Sequence, residues 1–234
     1  MQQAQKYYFE WLNDLSRMMF PKNCCSCGIS LNKNEEIICI SCLTRLPRTN
    51  YHRLNPSPIQ KRFDGRIPVH QATSFLSFRR GNQAQILLHE LKYRGREDIG
   101  EYLGELFGAD LARDGFTPPD LIVPLPLHPA KLAIRGYNQC HSISRGMKRF
   151  LGGELAVNAV RRKVHNETQT SKTRFERWMN VEHIFEVAEP GKVLARHVLI
   201  VDDVVTTGAT LEACGRKLLE SGARSLSLAT LASA

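Results

Sequence analysis

Short apolar runs alternate with helical patterns through the last two thirds of the chain. Four runs predict buried strands: 72–78, 121–127, 198–205 and 225–231. Apolar residues at helical spacing predict three helices: 84–93, 99–112 and about 209–221, the last ended by Gly222. Strands that alternate with helices are typical of a mainly parallel sheet with helices on its faces. The pattern therefore predicts an α/β fold.

The first 65 residues follow a different pattern. Six apolar residues before Pro21 recur at helical spacing and predict an amphipathic helix: Tyr8, Trp11, Leu12, Leu15, Met18 and Met19. Such a helix covers the neighbouring module, or docks on a membrane surface or a partner. Residues 49–65 are polar and contain Pro56 and Pro58, which predicts a linker or irregular connection. We therefore expect a small module in residues 1–60 and a larger domain in residues 61–234.

Composition narrows the class of protein. The 234 residues include 42% hydrophobic and 24% charged residues, which is typical of a folded chain. A formal net charge of +9 favours anionic partners. No run reaches the ~18–20 apolar residues that a membrane span needs, and the amino-terminal segment does not resemble a signal peptide. These features predict a cytoplasmic protein without a membrane span.

Two Cys-x2-Cys pairs, Cys24 with Cys27 and Cys39 with Cys42, are separated by eleven residues. Two such turns can supply four thiolates to one tetrahedral Zn²⁺. Because four thiolates fill the coordination shell, the predicted site is structural rather than catalytic. Disulfides are the alternative, although they are rare in a reducing compartment. Cys25 can replace Cys24 as a ligand, but the equal spacing of the two pairs favours Cys24.

Residues 198–223 combine a strand, two acids and a turn of small residues. Asp202 and Asp203 lie near the end of the predicted strand, and the turn from Thr206 to Thr210 leads directly into a helix. Backbone N–H groups in such a turn and at a helix N-terminus bind phosphate, and Gly208 allows close approach of the anion. Carboxylates at the carboxyl end of a parallel strand can accept hydrogen bonds from a sugar diol. Acids followed by a monophosphate loop favour a phosphorylated pentose as ligand.

This segment resembles the phosphoribosyl-pyrophosphate (PRPP) binding motif of type I phosphoribosyltransferases. Further motifs are similar to those of the ComF/GntX family: CCSCG with the second cysteine pair, LHELKYRG (88–95), VPLPLHPAKLAIRGYNQ (123–139), and the spaced set Gln169, Arg177, Asn180 and Phe185. The resemblance covers nearly the whole chain. It implies a type I phosphoribosyltransferase-like domain behind an N-terminal zinc ribbon, with structural zinc and with Mg²⁺ bound together with PRPP.

The resemblance also implies roles for individual residues. Asp202 and Asp203 would contact the ribose hydroxyls and act as catalytic residues. Residues of the same segment would bind the ribose and the 5-phosphate: Val204, Thr206, Thr207, Gly208, Ala209 and Thr210. Pyrophosphate, or a hood over the site, would involve a third set: Lys92, His128, Lys131, Arg135, Tyr137, Asn138, Gln139, Gln169 and Arg177. For His128 the alternative is a loop histidine that bonds the backbone.

Positive charge is concentrated in one part of the sequence. Residues 131–180 hold eleven Lys and Arg against three Asp and Glu, which is +8 of the total +9. This predicts a focused positive field near the site. Within it, the stretch from Arg161 to Trp178 lacks periodicity, which predicts either a mobile hood over the site or a plain solvated surface.

Two functions remain open at this stage. The first is a PRPP-binding phosphoribosyltransferase-like protein of the ComF family, linked to DNA uptake in natural transformation or to nucleotide metabolism, whose acceptor no motif identifies. The second is a non-catalytic PRPP sensor or scaffold that binds single-stranded DNA and competence partners, such as a helicase, through the basic strip and the zinc ribbon. Tyr51, Tyr137 and Trp178 would then offer stacking faces.

Overall fold

A computed structural model describes residues 21–163 and 184–234 of the chain. The chain divides into two compact units between Leu46 and Pro47, rather than after residue 60 as the sequence predicted. The predicted amphipathic helix before Pro21 lies outside the described residues. In the part of the chain that is described, no helix is long and apolar enough to cross a membrane.

The first unit is built around tight turns. The amide of Gly28 donates to the carbonyl of Cys24 at 2.8 Å, and Gly28 has a φ of +76°, which an L side chain rarely adopts. A five-residue helix, α1 (Ile40–Thr44), follows Cys39. So small a unit has little apolar surface to bury, and it therefore needs a stabilising element besides a hydrophobic core.

The second unit contains a five-stranded sheet and a separate two-stranded sheet. Its strands are β1 (Gln71–Ser77), β2 (Leu121–Pro124), β3 (Glu154–Leu155), β4 (Val160–Arg162), β5 (Phe185–Val187), β6 (His197–Val205) and β7 (Ser225–Ser233). The large sheet has the order β1-β7-β6-β2-β3 and all its pairs are parallel. The central strand β6 is almost continuously apolar up to Val201, because both faces of the sheet are covered.

Six helices complete the described part of the second unit: α2 (Gln83–Tyr93), α3 (Glu97–Arg113), α4 (Pro129–Arg135), α5 (Gln139–Leu151), α6 (Pro190–Val193) and α7 (Ala209–Glu220). Two short 3-10 helices, Tyr51–Arg53 and Gln60–Phe63, precede the sheet. The closest helix pair is α3 with α5, where Gly100, Gly104 and Gly108 face Gly146 and its neighbours. Glycines allow the two backbones to approach because no β-carbon separates them.

The predicted elements of the larger domain are confirmed, with one strand shorter than expected. The run 121–127 forms a strand only to Pro124, because Pro126 has no N–H to continue the hydrogen-bonded ladder. The six other predicted strands and helices agree with the predicted ranges to within about two residues. The fold class predicted from the sequence is confirmed.

Residues 47–66 are part of the larger unit and form an irregular connection, which was the alternative to a linker. The amide of Thr49 donates to the carbonyl of Phe75 at 2.9 Å, and the amide of Ser77 donates to the carbonyl of Pro47 at 2.8 Å. These bonds cover the open edge of β1, which would otherwise expose unpaired backbone groups. Sequence pattern did not reveal this because the segment pairs through single bonds rather than through a regular strand.

Candidate functional site

The two acids of β6 occupy the carboxyl end of the central strand, as predicted. Asp203 is 8% exposed, and its Oδ2 accepts from the amide Nε2 of Gln139 at 2.6 Å. The ammonium Nζ of Lys92 lies 2.8 Å from the same oxygen. Arg135 in turn donates to Oε1 of Gln139. The structure therefore brings together residues from α2, α4, α5 and β6 around one carboxylate.

Asp202 lies in a different environment from its neighbour. Its Oδ1 accepts from the amide of Asp203 at 2.8 Å and from the thiol of Cys140 at 3.5 Å. Burial and the negative charge of Asp203 together raise the pKa of Asp202 to about 7. The two acids therefore differ in role before any ligand binds, since Asp203 has an ammonium partner and Asp202 carries a proton up to neutral pH.

Asp202→Asn is expected to stabilise the unliganded protein by about 1–2 kcal/mol near pH 8, and the gain should shrink as the pH falls towards about 4. The carboxyl has a pKa of about 7 when folded, above the value of about 3.9 in an unfolded chain. Ionisation therefore costs stability progressively as the pH rises between these two values. Urea unfolding at three pH values measures the effect.

Asp98→Asn is the control for this pH dependence. Arg96 lowers the pKa of Asp98, mainly through its hydrogen bond to the carboxylate. Removal of that charge should therefore reduce stability at neutral pH, opposite in sign to Asp202→Asn. A gain for Asp202→Asn that does not change with pH would contradict the raised pKa.

The predicted phosphate loop, residues 206–210, joins the end of β6 to the start of α7. Gly208 precedes the helix with a φ of +79°. The first amides of a helix have no acceptor within it, and the positive end of the helix dipole favours an anion there. Thr206 and Thr207 are exposed, and Oγ1 of Thr207 accepts from the amide of Ala209 at 3.4 Å. The loop thus has the local geometry of an anion site.

Three residues that the sequence analysis missed support this loop from behind. Arg62 Nη1 donates to the carbonyl of Thr206 at 2.5 Å, and Arg66 Nη1 donates to the carbonyl of Thr207 at 2.9 Å. A β-carbon on Gly208 would lie 2.8 Å from the ring of Phe63. The two guanidinium groups fix the loop and add positive potential near it. No local signal marks these residues, because they precede the loop by more than 140 positions.

Of the site residues predicted after β2, three make hydrogen bonds to the backbone of neighbouring segments. Nδ1 of His128 accepts from the amide of Ala130 at 3.2 Å, so this histidine makes the backbone bond that was its alternative role. Asn138 caps α5 and donates to the carbonyl of Leu125 at 3.0 Å. The hydroxyl of Tyr137 donates to the carbonyl of Leu91, which ties the loop to α2. These three side chains hold the loop in place.

Lys92, Lys131 and Arg135 line a cleft of about 310 Å³, together with Tyr93, Gly95 and Ile134. The sequence analysis assigned the three cations to pyrophosphate, and the structure places them together. Lys92 differs from the other two because it is paired with Asp203. Gln169 and Arg177, assigned to the same set, lie outside the described residues, as do residues 164–178 of the predicted hood.

Part of the positive charge in residues 131–180 is neutralised in three dimensions. Arg145 and Arg149 on α5 pair with three carboxylates of α3: Glu97, Glu101 and Glu105. Lys163 lies 3.6 Å from Glu186. Along α5 the excess of positive charge is therefore smaller than the sequence count suggested, because acids from a distant stretch of sequence lie beside these cations. The focused field near the site stays a prediction.

Arg162 on β4 is a partly buried cation within electrostatic range of Asp202. Burial lowers the pKa of its guanidinium, while the charge of Asp202 acts in the opposite direction. The guanidinium lies 5.7 Å from the ring centre of Phe185. Among the described residues, its Nε is buried without a hydrogen-bond partner.

The first unit contains the predicted cysteine cluster. The sulfur atoms of Cys24, Cys27, Cys39 and Cys42 all lie within 4.8 Å of one another. The sulfurs of Cys27 and Cys39 are 3.7 Å apart, close to the separation of about 3.8 Å expected for tetrahedral thiolates at 2.3 Å from a metal. The cluster can therefore hold a metal ion.

Cys24, and not Cys25, belongs to this cluster. Burial alone would raise the pKa of Cys24, but backbone N–H groups of Cys39, Cys27 and Ser26 lower it to about 7. The amide of Cys39 lies 3.3 Å from the sulfur of Cys24. Hydrogen bonds to the thiolate thus prepare Cys24 as a metal ligand.

Comparison with known proteins agrees with both parts of the chain. Residues 144–234 match the family described as phosphoribosyl transferase domain. Competence protein ComFC of Bacillus subtilis strain 168 is 26% identical over 219 residues, which cover 87% of each chain. This chain is therefore similar to competence protein ComFC over most of its length, and its carboxyl-terminal part matches the phosphoribosyl transferase domain.

Other relatives match this chain over a shorter stretch. DNA utilization protein YhgH of Escherichia coli strain K12 is 33% identical over 141 residues, or 58% of this chain and 61% of the relative. Competence protein F of Haemophilus influenzae is 33% identical over 117 residues, or 50% of this chain and 51% of the relative. The alignment thus covers less than two thirds of the length of these relatives.

Among solved structures, the allosteric regulatory enzyme of purine biosynthesis matches 61% of this chain with 19% identity and a TM-score of 0.42. A hypoxanthine phosphoribosyltransferase from Staphylococcus aureus matches 58% of it with 18% identity and a TM-score of 0.37. At these values the likeness is limited. The α/β architecture rests on the sheet topology of the chain itself and on the matched domain.

Proposed function

We propose that the larger unit binds PRPP, with the ribose hydroxyls at Asp202 and Asp203 and the 5-phosphate at residues 206–210. One observation carries the proposal: two acids at the carboxyl end of the central parallel strand are followed directly by a loop whose carbonyls are held from behind by Arg62 and Arg66. With the carbonyls held there, the loop can present its amides to an anion. Ribose and phosphate are then bound by neighbouring groups of one short segment.

The arrangement supports phosphoribosyl transfer. An acceptor nucleophile would form a bond to C1 of the ribose while the bond from C1 to pyrophosphate breaks, and pyrophosphate would leave with that electron pair. Positive charge on the sugar in the transition state is stabilised by Asp202 and Asp203 once both are ionised. Mg²⁺ bound together with PRPP would lower the negative charge of the leaving pyrophosphate. Lys131 and Arg135 line the cleft beside Lys92, and their positive charges would neutralise the leaving pyrophosphate.

Lys92 would regulate access to the acid pair. In the unliganded protein its ammonium occupies Oδ2 of Asp203 together with Gln139. Hydroxyls of a bound ribose can donate to the same carboxylate oxygen only if Lys92 moves away. The cleft beside it offers space for this movement, and a bound pyrophosphate would attract the ammonium there.

The wider role follows from the relatives. Their names refer to DNA utilization and to competence, and we infer that this chain acts in the same setting, in DNA uptake or in the use of the nucleotides that it supplies. Of the predicted stacking residues, Tyr51 packs against the core and Tyr137 bonds Leu91, while Trp178 lies outside the described residues. The described residues therefore support the hypothesis of phosphoribosyl transfer more than the hypothesis of a scaffold that binds single-stranded DNA.

In the first unit we propose a structural zinc ion bound by Cys24, Cys27, Cys39 and Cys42. All four ligand positions are then filled by thiolates, so no coordination position is left for a substrate. The small size of this unit gives the metal its role, because the binding free energy of the ion becomes folding free energy.

Calorimetric titration of PRPP with Mg²⁺ into the full chain tests the PRPP site. Asp203→Asn should weaken binding about tenfold or more, because it removes the carboxylate charge that receives the ribose hydroxyls. Asp120→Asn, at the opposite end of the same sheet, should bind PRPP like the wild type. Absence of saturable binding in the zinc-loaded wild type would overturn the proposal.

A further inference from the structure

The first two residues of α5 hold the acid pair of β6. Gln139 begins this helix, and its side-chain Nε2 donates to Oδ2 of Asp203 at 2.6 Å. The thiol of the next residue, Cys140, lies 3.5 Å from Oδ1 of Asp202. The family resemblance assigned Gln139 to pyrophosphate or to the hood, whereas its bond to Asp203 points to a different role.

The side chain of Gln139 has a partner at each end. Its Oε1 accepts from the guanidinium of Arg135, and its Nε2 donates to Asp203. A guanidinium has only donors and an ionised carboxylate has only acceptors, whereas a carboxamide has an oxygen that accepts and a nitrogen that donates. The two partners therefore determine which way the amide faces. A glutamate of the same shape would present a second acceptor to Asp203.

The backbone around Gln139 is also held, and the side chain is buried at 3% exposure. Asn138 caps the helix, since its Oδ1 accepts from the amide of Cys140 at 3.0 Å and its Nδ2 donates to the carbonyl of Leu125 at 3.0 Å. The hydroxyl of Ser142 donates to the carbonyl of Gln139 at 2.9 Å. Gln139 is therefore a donor in a fixed position.

Lys92, the other partner of Asp203, is held less firmly. Its Nζ lies 2.8 Å from the same Oδ2, but the side chain is 23% exposed and an ammonium ends a flexible four-carbon stem. A carboxylate oxygen accepts about two hydrogen bonds. If Lys92 leaves for a bound anion, one acceptor position on Oδ2 opens, while Gln139 keeps the other and with it the orientation of the carboxylate.

We propose that Gln139 is a positioning residue for Asp203: its amide, oriented by Arg135, holds the carboxylate in place while Lys92 exchanges with a ribose hydroxyl. The exchange with ribose rests on the proposed function, but the support of Asp203 in the unliganded protein does not. Arg135 keeps its place beside the pyrophosphate, because a guanidinium has five N–H donors and the bond to Gln139 uses one of them.

Gln139→Glu tests the donor in the unliganded full chain. Two adjacent carboxylates repel each other, so the pair binds a proton more readily than in the unfolded chain, and the protonated form can donate to Asp203 as the amide does. Stability should therefore fall as the pH rises. Relative to wild type, we expect the urea midpoint to be about 1 M lower at pH 8 and less than about 0.3 M lower at pH 5.

The surroundings of this pair are the same in wild type and variant. The charged and titratable groups that approach Gln139 or the two acids in the described part of the chain are Lys92 on α2, Arg135 on α4, Cys140 on α5, Arg162 on β4 and Asp202 with Asp203 on β6. Comparison with wild type at each pH therefore isolates the added carboxylate.

Gln71→Glu is the matched control. Gln71 begins β1 at the opposite end of the sheet, and its Oε1 accepts from the amide of Thr117 at 2.9 Å, a bond that a carboxylate preserves. This variant should not lose stability relative to wild type as the pH rises. A midpoint of Gln139→Glu that follows wild type at both pH values would overturn the proposal.

Calorimetric titration of ribose 5-phosphate into the same proteins tests the positioning of Asp203. Gln139→Glu should bind about tenfold more weakly than wild type at pH 8 and within about threefold of it at pH 6. Gln139→Met has no donor and should bind about tenfold more weakly at both pH values. A loss in Gln139→Glu that is the same at both pH values, or wild-type affinity in Gln139→Met, would overturn the proposal.

Arg135→Met tests whether this guanidinium orients the amide. Ribose 5-phosphate contains no pyrophosphate, so its affinity does not report a direct contact of Arg135 with the leaving group. We expect about threefold weaker binding. Lys131→Met removes the same charge from the same cleft, without the bond to Gln139 that Arg135 makes, and should have a smaller effect. Equal effects of the two variants would overturn the role of Arg135.

The two measurements separate the role of Gln139 from the proposed function. If wild type binds neither PRPP nor ribose 5-phosphate, and the midpoint of Gln139→Glu still falls as the pH rises, the proposed function fails and Gln139 remains the support of Asp203. If wild type binds both ligands and the two Gln139 variants bind them equally well, the positioning role fails alone.

Discussion

Gly104→Ala is expected to reduce the free energy of unfolding of the larger unit by about 2–3 kcal/mol. A β-carbon on Gly104 would collide with the carbonyl oxygen of Ile143 on α5. One turn later, a β-carbon on Gly108 would lie 2.9 Å from the Cα atom of Met147, so α3 cannot shift away at one point alone. Backbone atoms yield less than side chains, and the helix pair would have to separate along its length. Urea unfolding followed by circular dichroism measures the change.

A loss of stability would be informative, because the higher helix propensity of alanine by itself would stabilise the protein. Alanine favours a helix interior over glycine by about 1 kcal/mol, so a net loss must come from packing. Gly191→Ala is the matched control: nothing lies within 4 Å of the position of its β-carbon, and its φ is not positive. We expect its stability to change by less than about 0.5 kcal/mol. Stabilisation of the protein by Gly104→Ala would show that α3 and α5 are not in such close contact.

The double variant Cys39→Ser with Cys42→Ser is expected to lose the bound metal completely and to unfold the first unit. These two residues provide half of the sulfur cluster. Structural zinc contributes about 10–16 kcal/mol of binding free energy in small zinc modules near pH 7, which far exceeds what the apolar contacts of so small a unit provide. Mass-spectrometric metal analysis of the purified protein measures zinc content, and proteolysis measures the unfolding.

Cys25→Ser provides the control for the zinc site. Cys25 is adjacent to Cys24 in sequence, but its sulfur is not one of the four in the cluster. Its amide donates to the carbonyl of Ile37 at 3.0 Å, a bond that serine preserves. The variant should therefore retain one zinc ion per chain. Loss of zinc in Cys25→Ser, with zinc retained in Cys24→Ser, would reverse the ligand assignment.

Local pattern was sufficient for the elements of the larger unit. The apolar run that ends in Asp202 and Asp203 predicted both the strand β6 and the position of the acids at its carboxyl end. The turn before α7 predicted a loop at a helix N-terminus, and Gly208 has the positive φ that such a turn requires. These features are short-range, because strand periodicity and turn chemistry depend on neighbouring residues.

The contacts between distant residues around the site could not be predicted from local sequence pattern. Lys92 was expected to approach an anionic ligand, yet in the folded protein it pairs with Asp203, which lies more than a hundred residues later in the chain. Arg62 was part of a supposed linker and instead supports the phosphate loop. Each contact depends on the order of strands in the sheet, for which no local signal exists.

The sequence by itself determined the α/β fold, the acid pair with its adjacent loop, and the four cysteines of the metal cluster, because these depend on periodicity and short spacings. Only the tertiary structure decided which charges remain available. Arg145 and Arg149 are neutralised by acids of α3, whereas Lys131 and Arg135 share a cleft with Tyr93. Coulomb interactions depend on distance in space, and the fold brings together charges that the sequence keeps far apart.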